Sequence, residues 1–241
     1  MDRMIYLSMS GAKSTMQRQD VLANNLANVS TTGFRAELQA FRAVPVRGDG
    51  ASTRVYALET STGYNGEAGP VMGTSRNLDV AMQGKSWLSV QALDGTEAYT
   101  RAGALDVNSE GLLVTKSGQT VVGEGGPITV PALAEVDIAP DGTVSAKVGN
   151  GRPQPVGKLK MVTPEAPLQR GDDGLFRATD GDLPADPTAR LQSGALEGSN
   201  VSAIETMVSM IAAARQFEAQ MKMVQTAEKD EQAAQQLLSS R

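Results

Sequence analysis

The sequence predicts an α+β chain in which long N- and C-terminal helices form a discontinuous, coiled-coil-like domain, with an antiparallel β domain inserted between them. Two observations carry that prediction. Apolar residues recur at both ends in alternating steps of four and three, the seam of a heptad rather than the broader stripe of a globular helix. Between the ends lie short runs of strand-forming residues broken by Gly, Pro, Asn and Asp, without the ten-residue helical patterns that a parallel βαβ sheet requires.

The first seam runs through Ile5, Met9, Ala12, Met16, Ala23 and Leu26, with Gln19 filling the missing place. Asp2 offers an N-cap, and the cluster Ser30-Thr31-Thr32-Gly33 ends the helix, which at its expected length spans roughly 40 Å. At the other end Ser202 and Glu205 have capping-box spacing. Ala203, Met207, Met210, Ala214, Phe217, Met221 and Val224 then continue the rhythm along a helix of more than about 50 Å. Methionine concentrates in these two segments, as suits either adaptable contacts between neighbouring helices or gap-filling in a core.

The middle has a different character. RGDGAST and STGYNGEAGPVMGTS read as an extended connector or loose hairpin. From Asn77 onward LDVAM, WLSVQAL, GLLVTKSGQTVVG, EVDIAPDGTVSAKV and VGKLKMVT read as strands and turns, with Asp141-Gly142 a tight-hairpin signal. The resulting division is a helical domain from residues 1–32 and 198–241, a connector at 33–76, and a β-rich domain at 77–197. Each seam is too narrow and too long for the β domain to cover, so the helices need partners, each other or further subunits.

Composition removes several functions. Hydrophobic residues make up 40% of 241 residues but aromatics only 4%, which predicts a thin or divided core. A net charge of −5 argues against nucleic acid, whose phosphates demand a basic patch. The chain has no Cys and no His, which excludes thiol nucleophiles, histidine triads, disulfides and the usual zinc sites. Gly123-Glu124-Gly125-Gly126-Pro127 lacks the strand-loop-helix setting of a dinucleotide loop, and Asp172, Asp173, Asp180 and Asp182 fit no EF-hand spacing, so both read as turns. No catalytic residue, cofactor or metal site is expected. The apolar run in MDRMIYLSMSGAK is too short for a secretory signal, and no longer run qualifies as a membrane span.

Four segments, in order along the chain, carry a resemblance. ANNLANVSTTGF (Ala23 to Phe34), NLDVAMQG (Asn77 to Gly84), YTRAGALDVNSEGLLVT (Tyr99 to Thr115) and GALEGSNVSAIETMVSMIAAARQFEAQMKM (Gly194 to Met223) resemble the flagellar basal-body rod and hook proteins. Within that family MDRMIYLSMSGAK, GEGGPITVP, QRGDDGLF and QMKMVQTAE look like the proximal rod members, with distal rod members the nearest rivals; Lys85-Ser86-Trp87-Leu88 departs from the pattern of a second glycine and two aromatics.

The resemblance implies a structural subunit of a tubular, periplasmic rod that transmits torque, with terminal helices in its inner layer and the β domain outside. It implies as partners other copies of the chain, neighbouring rod proteins including the distal rod protein, and the flagellar export apparatus, which passes such chains without a cleaved signal. On this reading Asn24, Asn25 and Asn28 hydrogen-bond between or at the ends of close-packed helices and fix their register, Gly33 permits the sharp exit, and Phe34 packs beside it. The assembly residues on the C-terminal side are Asn200, Met207, Met210, Ala214, Phe217, Met221 and Val224. A soluble coiled-coil dimer carrying a β-domain binding module, and an enzyme working with carboxylates alone, remain as alternatives.

Overall fold

In a computed structural model the described residues are 3–45 and 55–239. Asp2, the expected N-cap, and Arg47 to Thr53, the tip of the connector, lie outside them. The chain divides into two compact units, one of residues 1–29, 36–65 and 201–241 and the other of residues 30–35 and 66–200.

The first unit contains α1 (Arg3–Ala27), α2 (Ala203–Ser239) and a hairpin of β1 (Glu37–Pro45) with β2 (Val55–Tyr64). The two strands run antiparallel with a register shift between Ala40 and Phe41, and the Ser10 hydroxyl donates to the Ala57 carbonyl, tying α1 to β2. The start of α2 follows from its capping residues: the Glu205 N–H donates to Ser202 Oγ at 3.4 Å, and the Thr206 hydroxyl reaches the Ser202 carbonyl at 2.8 Å.

How α1 meets α2 overturns the expectation of a coiled-coil-like domain. The buried positions are Ser8, Ala12 and Thr15 on α1 and Thr206, Ala213 and Ala227 on α2. Several large seam residues stand outside: Met9 and Met16 are each 57% exposed, and Met207 is 50% exposed. On α2 the inward residues Thr206 and Ala213 lie one position before the expected heptad positions Met207 and Ala214, a rotation of about 100°. A coiled coil inserts bulky knobs into holes, whereas this pair meets through small side chains; a Cβ added at Gly11 would stand 3.0 Å from the Gln220 side chain. Moreover, the two helices, 25 and 37 residues long, are the only ones among the described residues, and all other regular structure is antiparallel strand. The fold is therefore α+β with a small-residue helix pair, a hairpin and a predominantly β body.

The second unit is that body. Its largest sheet runs in the order 169–170, 176–177, 97–100, 87–91, 120–123, 113–115 and 105–107, with 161–162 joining 87–91 and 126–127 joining 120–123. A three-stranded meander of 134–138, 143–148 and 154–158 and the pairs 80–82 with 191–193 and 71–73 with 195–197 complete it. Asp141 closes the first turn of the meander by accepting from the Thr143 N–H at 3.0 Å and from its hydroxyl at 2.9 Å. Alternating positions such as Val136 and Ile138, or Val144 and Ala146, point into a core shared with Val80, Leu88, Val90, Leu105, Leu113, Val121 and Leu191. The single Trp87 is buried outside this cluster, with its ring centroid 4.7 Å from that of Phe176.

Candidate assembly site

The residues expected to mediate assembly fall into three environments. Ala12 and Asn25 are buried; Ile5, Leu26, Asn28, Met210, Ala214, Phe217 and Val224 are half-buried; Met9, Met16, Ala23, Asn24, Met207 and Met221 are exposed. Gly33 and Phe34 are buried and Asn200 is half-buried, all three in the β unit.

The asparagines of the run Asn24 to Asn28 differ in what they do. Asn25 is buried because its amide copies a strand partner: Nδ2 donates to the Glu37 carbonyl at 3.0 Å, and Oδ1 accepts from the Glu37 N–H at 2.8 Å. The amide carries its donor and its acceptor on separate atoms, so it meets both backbone groups of Glu37 at once and seats the start of β1 against α1. Asn28 instead caps the helix end, donating to the Asn24 carbonyl at 2.9 Å.

Beyond Asn28 the chain turns through Gly33, whose φ is +71°. A side chain there is impossible for a second reason, since a Cβ would stand 2.3 Å from the Ala102 nitrogen. Phe34 follows under the Arg170 guanidinium, 4.6 Å from its ring centroid. Arg35 then points into an ionic cluster that the sequence did not announce. Glu197 Oε1 lies 2.7 Å from Arg35, and Glu197 Oε2 lies 2.8 Å from Arg101. All three side chains are at most 2% exposed.

Each charge in the cluster is held by backbone as well. The Gly69 N–H donates to the Glu197 carboxylate at 3.0 Å, Arg35 donates to the Glu67 carbonyl, and Arg101 donates to the carbonyls of Gly84 and Ser86. Burial pulls the Arg101 guanidinium below its ordinary value, and Glu197 works against that shift. The Glu197 carbonyl also accepts from the Gly33 N–H at 2.8 Å, and the Asn200 N–H donates to the Phe34 carbonyl at 3.3 Å. The segment leaving α1 and the segment leading into α2 are thus stitched together within the β unit. The sequence cue to this cluster is a charge set among small and apolar residues, in Gly-Phe-Arg, Thr-Arg-Ala-Gly and Ala-Leu-Glu-Gly. Which charges pair across such separations is not readable from one chain.

Part of the solvent-facing surface of both helices is apolar. On the first turns of α2, Ile204, Met207, Val208 and Ile211 follow helical i, i+3, i+4, i+7 spacing and are 77%, 50%, 61% and 56% exposed. Tyr6, Met9 and Met16 are similarly open on α1. Among the described residues no group of three or more His, Cys, Asp or Glu gathers in a way that could hold a metal, and no helix is long and apolar enough to cross a membrane.

Comparison with known proteins places these features. Family models match residues 5–35 (Flagella basal body rod protein), 81–146 (Flagellar hook protein FlgE/F/G D1 domain) and 192–237 (Flagellar basal body rod FlgEFG protein C-terminal). The chain is 49% identical to the flagellar basal-body rod protein FlgF of Salmonella typhimurium over 250 residues, covering 99% of both. The chain belongs to the flagellar basal-body rod protein family. It is likewise 49% identical to FlgF of Escherichia coli across 99% of both chains, and 31% identical to the rod protein FlgG of Bacillus subtilis over 94% of this chain and 95% of that one. The three matched segments of the rod-protein fold each contribute one member of the ionic cluster: Arg35, Arg101 and Glu197.

Proposed function

We propose that the chain is a structural subunit of the proximal flagellar rod and that it joins its neighbours through the exposed apolar faces of α1 and α2. The observation that carries this reading is the unpartnered stripe Ile204, Met207, Val208 and Ile211. A chain with this much apolar area on one helix face in water gains from covering it, at roughly 25 cal/mol per Å². Membership of the rod family supports other copies of the chain, and rod proteins such as FlgG, as what covers it. The reading further takes the subunit to work in the periplasm, to arrive through the flagellar export apparatus without a cleaved signal, and to carry torque as part of a tubular shaft. Catalysis has no part in this role.

The test is incorporation. Ile204→Asp with Ile211→Asp places two charges on the stripe without touching a buried position. Cells carrying that variant should export the chain and yield purified basal bodies that lack it, and they should not swim. Wild-type incorporation and motility would overturn the assignment of this face to assembly.

A further inference from the structure

The ionic cluster has an asymmetry that bears on how the subunit closes. Arg101 is held by the carbonyls of Gly84 and Ser86, and both it and those residues belong to the strand-and-turn framework of the β unit. Glu197 and Arg35 reach it from segments 96 and 66 residues away in sequence, by the difference of their residue numbers. One carboxylate faces two guanidiniums, and these three groups carry one excess positive charge in a buried place.

The possible orders of docking are therefore unequal in free energy. With Arg101 alone, the site holds an uncompensated buried cation. Docking the 195–200 segment brings Glu197 and makes a neutral pair, with the Gly69 N–H completing the carboxylate and the Gly198 N–H reaching the Pro70 carbonyl. Docking Arg35 first would bury a second cation beside the first with no anion between them. We infer that Glu197 is a latch that orders closure: the segment leading into α2 docks on the β framework first, and the segment leaving α1 docks on it last, held by the second oxygen of the same carboxylate. The N-terminal arm can then open while the C-terminal one stays docked, whereas opening the C-terminal arm releases the N-terminal arm as well.

Hydrogen exchange on the full-length chain in solution reads this directly, with no rod involved, so its outcome is separate from that of the assembly reading. The Gly33 N–H, bonded to the Glu197 carbonyl, reports the N-terminal arm; the Gly69 and Gly198 N–H groups report the C-terminal one; the Val80 and Leu113 N–H groups, bonded to the carbonyls of Gly103 and Ile128, report the framework. Glu197→Gln should raise exchange about tenfold or more at Gly33, Gly69 and Gly198 together and leave Val80 and Leu113 protected. In the unaltered chain Gly33 should exchange faster than Gly69 and Gly198, and Arg35→Met should raise all three by a similar factor, because every opening of the C-terminal arm includes that of the N-terminal one. Should Glu197→Gln fail to fold, Glu197→Asp keeps the charge but shortens its reach, and the same three amides should respond. A response to Arg35→Met confined to Gly33, or continued protection of Gly33 when Glu197 is altered, would overturn the ordered latch.

Discussion

The two units solve the burial problem in opposite ways. In the β unit large side chains such as Leu88, Leu105, Leu113 and Leu191 are almost wholly inside. In the helical unit the buried positions are mostly small or polar, including Ser8, Ala12, Thr15, Thr206, Ala213 and Ala227, while Tyr6, Met9, Met16, Ile204 and Ile211 meet water. One unit carries its own core, and the other leaves much of its apolar area exposed. That difference separates stability from assembly and lets substitutions test each alone.

The largest effect belongs to the β core. Leu113→Ala removes a fully buried side chain and leaves a cavity, which should lower stability by about 2–5 kcal/mol. Trp87, the single tryptophan, makes denaturant unfolding followed by its fluorescence a report on this unit. A loss below about 1 kcal/mol would mean that the core is looser than the comparison requires.

The junction comes next. Gly33→Ala combines a left-handed backbone position with a Cβ that would overlap the backbone of Arg101 and Ala102, so it should cost more than about 1 kcal/mol. The damage should concentrate at the arms, visible as lost protection at the Asn200 N–H, which bonds to the Phe34 carbonyl.

Tyr99 gives a pH-dependent test of the β unit. Burial raises its phenol to about 12, with the Leu183 N–H bond to its oxygen opposing the shift and Glu97 adding to it. The neutral form is the one the fold prefers, and the unfolded chain ionises near the ordinary value of 10. The stability from this preference is complete below pH 10 and is lost as pH rises from there to about 12. Tyr99→Phe should flatten this part of the alkaline unfolding curve; an unchanged curve would place the alkaline loss in other groups.

Part of the strand and helix pattern was readable from the residues, for reasons that differ by region. Alternation with Asp-Gly punctuation locates the strands at 134–138 and 143–148 because a half-buried strand and a two-residue turn leave local signatures. The helix starting at Ala203 was visible in its Ser202 cap. What failed was the inference from heptad spacing to a coiled coil. Spacing tells which residues share a face, but not whether that face is turned inward, and here the stripe of Thr206, Ala213 and Ala227 won because small side chains let the helices approach closely. The cluster of Arg35, Arg101 and Glu197 escaped for another reason: it is a long-range pairing of charges whose individual surroundings look unremarkable.

The smallest effect on stability should accompany a large effect on function. Ile204→Ser with Ile211→Ser alters only solvent-exposed positions, and isoleucine and serine have similar helix propensities. Unfolding of the isolated chain should therefore shift by no more than about 0.5 kcal/mol. In a rod the same pair would forfeit apolar burial on both side chains, so swimming and the amount of the chain in purified basal bodies should fall while its Trp87 unfolding curve stays in place. A matching fall in isolated stability would mean that these residues already serve the chain's own core, and the contrast between a self-sufficient β unit and a helical unit completed by its neighbours would no longer hold.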